Sequence, residues 1–420
     1  MSRKRVLRVL FVRPAAGHAL QTLLGFDERR DPASVLPVGL LRLATTAKLG
    51  SRHRVFVHDA RRDRAGNRST RAVASVTKAE ITLVEMQLPL LADGLEAARA
   101  AREGGSRLVL GTGPLVARWP ESLAGMPEFD GLLHPGGAPS LLSLLESAET
   151  DSLDAASLVD ALALSPGAPA PEAAGTDRRL LDYAAYRLAH DAQRAGRGHR
   201  VDKGRHAASP LLLEDEAGAL RTVSSVRAEL EECALLGIPN LALRTARERP
   251  TAAYLTELLA GGGRRRVVLP RPFGAGGDLE PLTRHGATAI DLGDISVGDP
   301  SELDEIASWV DAARSAGLVA FGRACFGQAD LEAEERGLER LRRWDLPMGA
   351  VLTASVPPEA GAARAWSQWL SAPRPDFVPP TPGGHRTHEL AERARVLLAE
   401  HDQRGARAFV GRLAKIARRG

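Results

Sequence analysis

Cysteine is nearly absent from this chain. There are two, Cys233 and Cys325, in 420 residues, and they fall in different expected elements. A disulfide framework is therefore excluded, and the scarcity suits a reducing cytosol. Two thiols also fall short of the three or four that hold a four-iron cluster. Long apolar runs are missing too. The N-terminal stretch MSRKRVLRVLFVRP is broken by Arg8 and Arg13, so it is neither a signal-peptide core nor a membrane span, and a buried first strand is the better reading. No G-x-S-x-G, G-x-x-x-x-G-K-[ST] or H-E-x-x-H motif occurs. The net charge is +4, but the basic residues are scattered rather than striped, which argues against specific nucleic-acid binding.

What is present is a long alternation of strands and helices. Strands are expected at Val6–Val12, Arg54–Asp59, Ile81–Met86, Arg107–Leu110 and Gly131–His134, with helices at Pro37–Leu49, through Leu95 to Ala101, and from Ser140. A Pro/Ala/Gly-rich linker follows at Ala161–Thr176. A second series of strands is expected at Leu211–Leu213, Asn240–Leu243, Arg266–Leu269, Ala289–Leu292, Leu318–Phe321 and Gly349–Thr353, with helices between them. Alternation of this kind predicts parallel sheets, the second of them a partial barrel. Ser371–His385 is a further Pro-rich linker, and Thr387–Arg418 reads as a terminal helix, packed on the barrel or docking a partner or membrane surface.

The order of motifs resembles the cobalamin-dependent radical S-adenosylmethionine family from about Arg5 to Pro357. The pieces that carry the resemblance are FVRPAAG at Phe11–Gly17, LPVGLLRLATTAKLG at Leu36–Gly50, HDARR at His58–Arg62, and the stretch from Gly111 to Glu146. RRLLDYAAYR at Arg178–Arg187 is similar to the family's linker, and AGLVAFGRACFGQADLEAE at Ala316–Glu334 to its fifth barrel strand. The resemblance implies a Rossmann-like cobalamin-binding-type domain (1–160), a linker and connecting helix (161–207), a partial (β/α)6 barrel (208–360), and a Pro-rich linker with a C-terminal helix (361–420).

One piece of the family pattern is missing. A C-x3-C-x2-C loop is expected after the first barrel strand, and here the residues are SPLLLEDEAGALR, Ser209–Arg221: an apolar run, an acidic turn and a helix start. The expectation is a protein with no iron–sulfur cluster and no radical chemistry. S-adenosylmethionine would then have only ribose and adenine contacts to rest on.

By the resemblance, cobalamin would sit at the C-terminal ends of the first strands, where open α/β sheets bind ligands. The residues there are Arg13, Gly17, Glu85, Gln87, Gly111, Thr112, Gly113, His134, Gly136 and Gly137. The glycines would let backbone approach a large ligand, whereas Glu85 and Gln87 would narrow the pocket. His134 reads either as a ligand-facing or as a packing residue. His18 lacks the aspartate of a D-x-H-x-x-G motif and reads as a loop histidine, and GAGGD at Gly274–Asp278 reads as a flexible or an anion-holding loop.

At the barrel mouth, Glu214, Asp215, Asp291 and Arg323, with Asp294 beside them, form either an acid–base set or a relaxed former site. Three functions follow: a cluster-less binding or partner subunit beside an active homologue; a cobalamin protein that transfers methyl groups or senses its cofactor; and a barrel re-purposed for acid–base chemistry. Each is expected in the cytoplasm.

Overall fold

The computed structural model describes residues 5–15, 37–149, 175–181, 209–352, 364 and 367. The interruptions are 64, 88–89, 119, 124, 135–136, 216–217, 239, 246–247, 261–264, 275–277, 327–330 and 345–347. The 371–385 linker, the 387–418 helix, His18, Gly17 and Gly136 lie outside the described residues.

The described residues form two all-parallel sheets. The first has five strands, β1 (Arg8–Arg13), β2 (Arg54–Asp59), β3 (Ile81–Glu85), β4 (Leu108–Thr112) and β5 (Gly131–Leu132), in the order β2-β1-β3-β4-β5. Helices α1 (Val38–Gly50), α2 (Arg68–Thr77), α3 (Leu91–Glu103), α4 (Pro114–Arg118) and α5 (Ala138–Ala148) follow the strands. Every residue of β3 and β4 is buried, as a sheet covered on both faces requires. The order reverses direction between β1 and β3, and that is where such sheets open a crevice.

The second sheet has six strands in the order β11-β10-β9-β8-β7-β6. They are β6 (Ser209–Leu212), β7 (Asn240–Arg244), β8 (Arg266–Pro270), β9 (Ala287–Ser296), β10 (Val319–Phe326) and β11 (Met348–Leu352). Helices α6 (Val223–Leu235), α7 (Ala252–Leu259), α8 (Glu280–Arg284), α9 (Pro300–Ser315) and α10 (Leu331–Arg342) connect them. Ile290 and Leu292 of β9 pack in one buried cluster with Leu303, Ile306 and Trp309 of α9. Burying each aliphatic side chain of that kind is worth roughly 1.5–3 kcal/mol. Capping side chains set several helix starts: Thr222 accepts from the Ser225 N–H, and Asp299 from those of Ser301 and Glu302.

The sheets meet through α1. Val38 and Leu41 pack against Leu180, Leu181 and Leu212. The buried Arg42 guanidinium donates to the carbonyls of Glu214 at 2.5 Å and Leu212 at 3.4 Å.

Two expectations need correction. Residues 218–221 are not a helix start; they run back antiparallel to 213–215, and α6 begins at Val223. The strand expected over Gly131–His134 is only the two residues of β5. Among the described residues no helix is long and apolar enough to cross a membrane.

Candidate functional site

The strand ends of the first sheet bring four residues into one row: Asp59, Arg13, Glu85 and Thr112, in register across β2, β1, β3 and β4. All four are buried. The Arg13 guanidinium reaches Asp59 at 3.4 Å and Glu85 at 3.9 Å. A buried charge is costly unless it is paired, so these three side chains hold one another in place.

The glycines beside this row serve the protein's own packing. Gly113 has φ +101°, and a Cβ there would lie 3.0 Å from the Met86 backbone. The Met86 N–H donates to Thr112 O at 2.6 Å, and Met86 O accepts from Leu115 N–H at 3.0 Å. A Cβ on Gly137 would meet the His134 carbonyl at 2.7 Å. The Met86 side chain fills the space beside Gly94 and Gly111. Gln87 is half-buried and His134 exposed. Among the described residues of this edge, the row is occupied by paired charges, the face of Gly111 by side chains, and those of Gly113 and Gly137 largely by backbone.

Beside the row, a cleft of about 530 Å³ is lined by His58, Asp59, Arg62, Asp63, Leu180 and Leu181 together with Val57. His58 bonds Ser69 Oγ at 2.8 Å. Burial lowers the His58 pKa, with the Asp59 and Asp63 charges opposing.

After β6 the chain closes on itself. Arg221 N–H donates to Leu213 O at 2.8 Å, Asp215 N–H to Ala219 O at 2.8 Å, and Ala219 N–H to the Asp215 carboxylate at 3.0 Å. Glu214 is buried and accepts from the Glu248 N–H at 2.6 Å, while the Glu248 carboxylate accepts from the Leu220 N–H at 3.1 Å. Glu214 and Asp215 are thus engaged in holding this turn. The cysteines are elsewhere. Cys233 is in α6 and Cys325 in β10, both buried, and burial pushes the Cys233 thiol up to about 11. That donor set does not fit an iron–sulfur cluster. Among the described residues no group of three or more His, Cys, Asp or Glu is placed to hold a metal ion.

Asp291, Asp294 and Arg323 come together on β9 and β10, joined by Arg244 of β7, which the sequence does not place at the site. Asp291 is buried and ion-paired to Arg244, and it also accepts from the Gly293 N–H at 2.9 Å. Arg323 Nε donates to Asp294 at 2.5 Å. Burial first, and then the Arg323 charge, pull Arg244 below the ordinary arginine value, with Asp294 opposing. A charged residue closing a strand otherwise apolar, as in NLALR, was the available signal for Arg244.

No family model matches the sequence, and no curated protein matches it. The fold does have solved counterparts. The radical S-adenosylmethionine methyltransferase TsrM from Kitasatospora setae, with cobalamin and a [4Fe–4S] cluster bound, superposes with a TM-score of 0.58 at 16% identity, covering 91% of this chain and 81% of that one. The same enzyme with tryptophan substrate and the S-adenosylmethionine analogue aza-SAM gives 0.56 at 15%, covering 94% and 89%. This chain has the TsrM fold.

Proposed function

We propose that this chain is a cluster-less relative of the cobalamin-dependent radical S-adenosylmethionine proteins, which works in the cytoplasm by binding, as a partner subunit beside an active homologue. On this reading the first sheet is the Rossmann-like unit and the second a partial barrel, and the likeness to TsrM supports that ancestry. The observation that carries the proposal is the closed turn after β6. Its flanks are paired, Glu214 and Glu248 each hold the other's segment, and the two thiols are buried in α6 and β10. A cluster loop would need open backbone and exposed thiolates at this point.

Two other readings are weaker. Methyl transfer through cobalamin needs room at the first sheet's edge, where the Asp59–Arg13–Glu85 row is packed. Acid–base chemistry at Glu214, Asp215, Asp291 and Arg323 needs carboxylates available to substrate. Three of the four groups are in the pairs described above, and Asp215 caps its own turn.

The test is the visible spectrum of the purified protein after incubation with hydroxocobalamin and gel filtration, together with affinity purification from the native host. Absence of a corrinoid band and recovery of a cysteine-bearing homologue is the expected result. A stoichiometric corrinoid band overturns the reading in favour of cobalamin chemistry.

A further inference from the structure

We infer that the outer edge of β2 is a docking site for an extended peptide segment of a partner protein, which adds to the first sheet as a further strand. The inference rests on the partner reading above and names the surface and the kind of segment that reading leaves open.

Strand geometry opens this edge. β2 is the last strand on its side of the sheet and pairs only with β1. The Arg54 N–H donates to Leu7 O at 2.9 Å, so Arg54, Phe56 and His58 turn their backbone groups toward β1. Val55 and Val57 turn theirs outward, and among the described residues those groups have no partner. Both residues are partly exposed.

Two other sheet edges are protected. β5 is only two residues long. β6 carries Pro210, which has no N–H, and its outward carbonyls are taken: Arg178 donates to Pro210 O at 3.0 Å and Arg221 to Leu212 O at 2.9 Å. β2 has six residues in unbroken register, with no proline and no bulge. An apolar edge of that kind is a template for another extended backbone.

The cleft of about 530 Å³ runs along this edge. It touches Val57, which packs on Val38 and Leu41 of α1, and His58, which bonds Ser69 of α2. These two neighbours point to opposite faces of the strand, so a cavity that reaches both passes its outer edge. Leu180 and Leu181 wall the cleft on the α1 side, and Arg62 and Asp63 stand beyond the end of β2.

The edge and its walls select the occupant. The outward groups of Val55 and Val57 lie about 6.6 Å apart, the two-residue repeat of a strand, and each residue offers one donor and one acceptor. That pattern matches an added strand. Its alternate side chains fall on Leu180 and Leu181 and are apolar; the others face His58 and are polar. Arg54 and Asp63 are exposed and in no ion pair among the described residues, so the segment carries an acid at the Arg54 end and a base at the Asp63 end. A second copy paired edge to edge would bring its own Leu180–Leu181 wall against this one, so a single segment is the fitting occupant.

The experiment is fluorescence polarisation of two labelled, end-blocked hexapeptides with the full-length protein: Lys-Val-Thr-Val-Thr-Glu for antiparallel addition and Glu-Val-Thr-Val-Thr-Lys for parallel addition. Saturable binding of one is expected. N-methylation of the amides that face β2, the valines in the antiparallel case and the threonines in the parallel one, should weaken it about tenfold, while methylation of the other pair should not. Amide exchange should be fast at Val55 and Val57 and slow at Phe56 and His58 in the peptide-free monomer, and the peptide should slow the first two. Val57→Pro removes an outward N–H and leaves the bonds to β1 in place, so it should weaken binding at least about tenfold; the N-methyl and exchange results decide if that variant does not fold. Binding of neither peptide, or an equal effect of the two methylations, overturns the inference. So does protection of Val55 and Val57 in the peptide-free monomer, which puts this chain itself on the edge, or protection that appears only with dimers in sedimentation, which makes the occupant a second copy. The corrinoid test is separate: a band there with peptide binding intact removes the partner-subunit reading alone, and recovery of the homologue with no peptide binding removes this inference alone.

Discussion

Arg178 and Glu229 form a buried ion pair, Nη1 to Oε1 at 2.8 Å, that fastens the turn before the second sheet to α6. The other carboxylate oxygen takes Arg221 at 2.7 Å. The arginines also hold β6: Arg178 donates to Pro210 O at 3.0 Å and Arg221 to Leu212 O at 2.9 Å. Glu229→Ala would leave two arginines buried without their anion, and it should cost about 3–5 kcal/mol. A thermal melt checks this, and a loss below about 1 kcal/mol would contradict the account. Replacing all three with packed apolar residues should recover most of the loss, because the triad's desolvation is itself costly.

Acid should weaken the protein in two stages. Burial alone would raise the Glu229 carboxyl, but the Arg178 and Arg221 charges and hydrogen bonds bring it below its ordinary value of 4.5. Its contribution is therefore full above pH 4.5 and declines as pH falls toward the lower folded pKa. Burial holds His58 below its ordinary 6.5. The unfolded chain then takes up that proton more readily, so a smaller loss begins as pH drops below 6.5. Denaturant midpoints measured across this range should fall in both windows, and His58→Gln should remove the upper one alone.

Both thiols should be silent in the native state. Cys233 and Cys325 are buried, and the Cys233 thiol is pushed up to about 11, so thiolate is scarce at pH 8. Titration with a chromogenic disulfide should show no fast thiol in native protein and two after denaturation. Anaerobic reconstitution with iron and sulfide should yield no stable cluster absorbance. A fast-reacting native thiol would contradict the burial.

Most of the scaffold is legible in the sequence because apolar β-branched runs bounded by turn residues carry a strong local signal. RVLFVR, ITLVE and RVVLP each lie within a residue or two of a strand. Helix α2, RSTRAVASVT, is amphipathic, but it is short and mostly polar, so composition does not mark it. The site is less legible, for a physical reason. Arg178 and Glu229 are 51 positions apart, and nothing near either announces the other. The bulge that turns Asp294 to face Arg323 depends on one glycine in the left-handed region, which a strand pattern hides. The ALR of residues 219–221 suits a helix start, whereas the segment turns back on the strand before it. The decisive interactions are backbone bonds to Leu213 and Asp215, which composition does not report.

The turn after β6 offers the sharpest local test. Glu248 receives the Leu220 N–H and donates its own N–H to Glu214, so it joins the turn to the segment after β7 from both directions. Glu248→Ala removes only the side-chain half, since the backbone N–H remains to bind Glu214. The expected loss is about 1 kcal/mol of local stability, carried by the turn rather than by the sheet. Gly218→Ala acts on the same turn by another route, since φ +88° is a conformation that alanine resists. Both variants should speed hydrogen exchange at Ala219, Leu220 and Arg221 while leaving the amides of β8 and β9 protected. If exchange rises equally throughout the second sheet, the turn is part of its cooperative core. If it does not rise at all, the Glu214–Glu248 clasp is not what holds the turn closed.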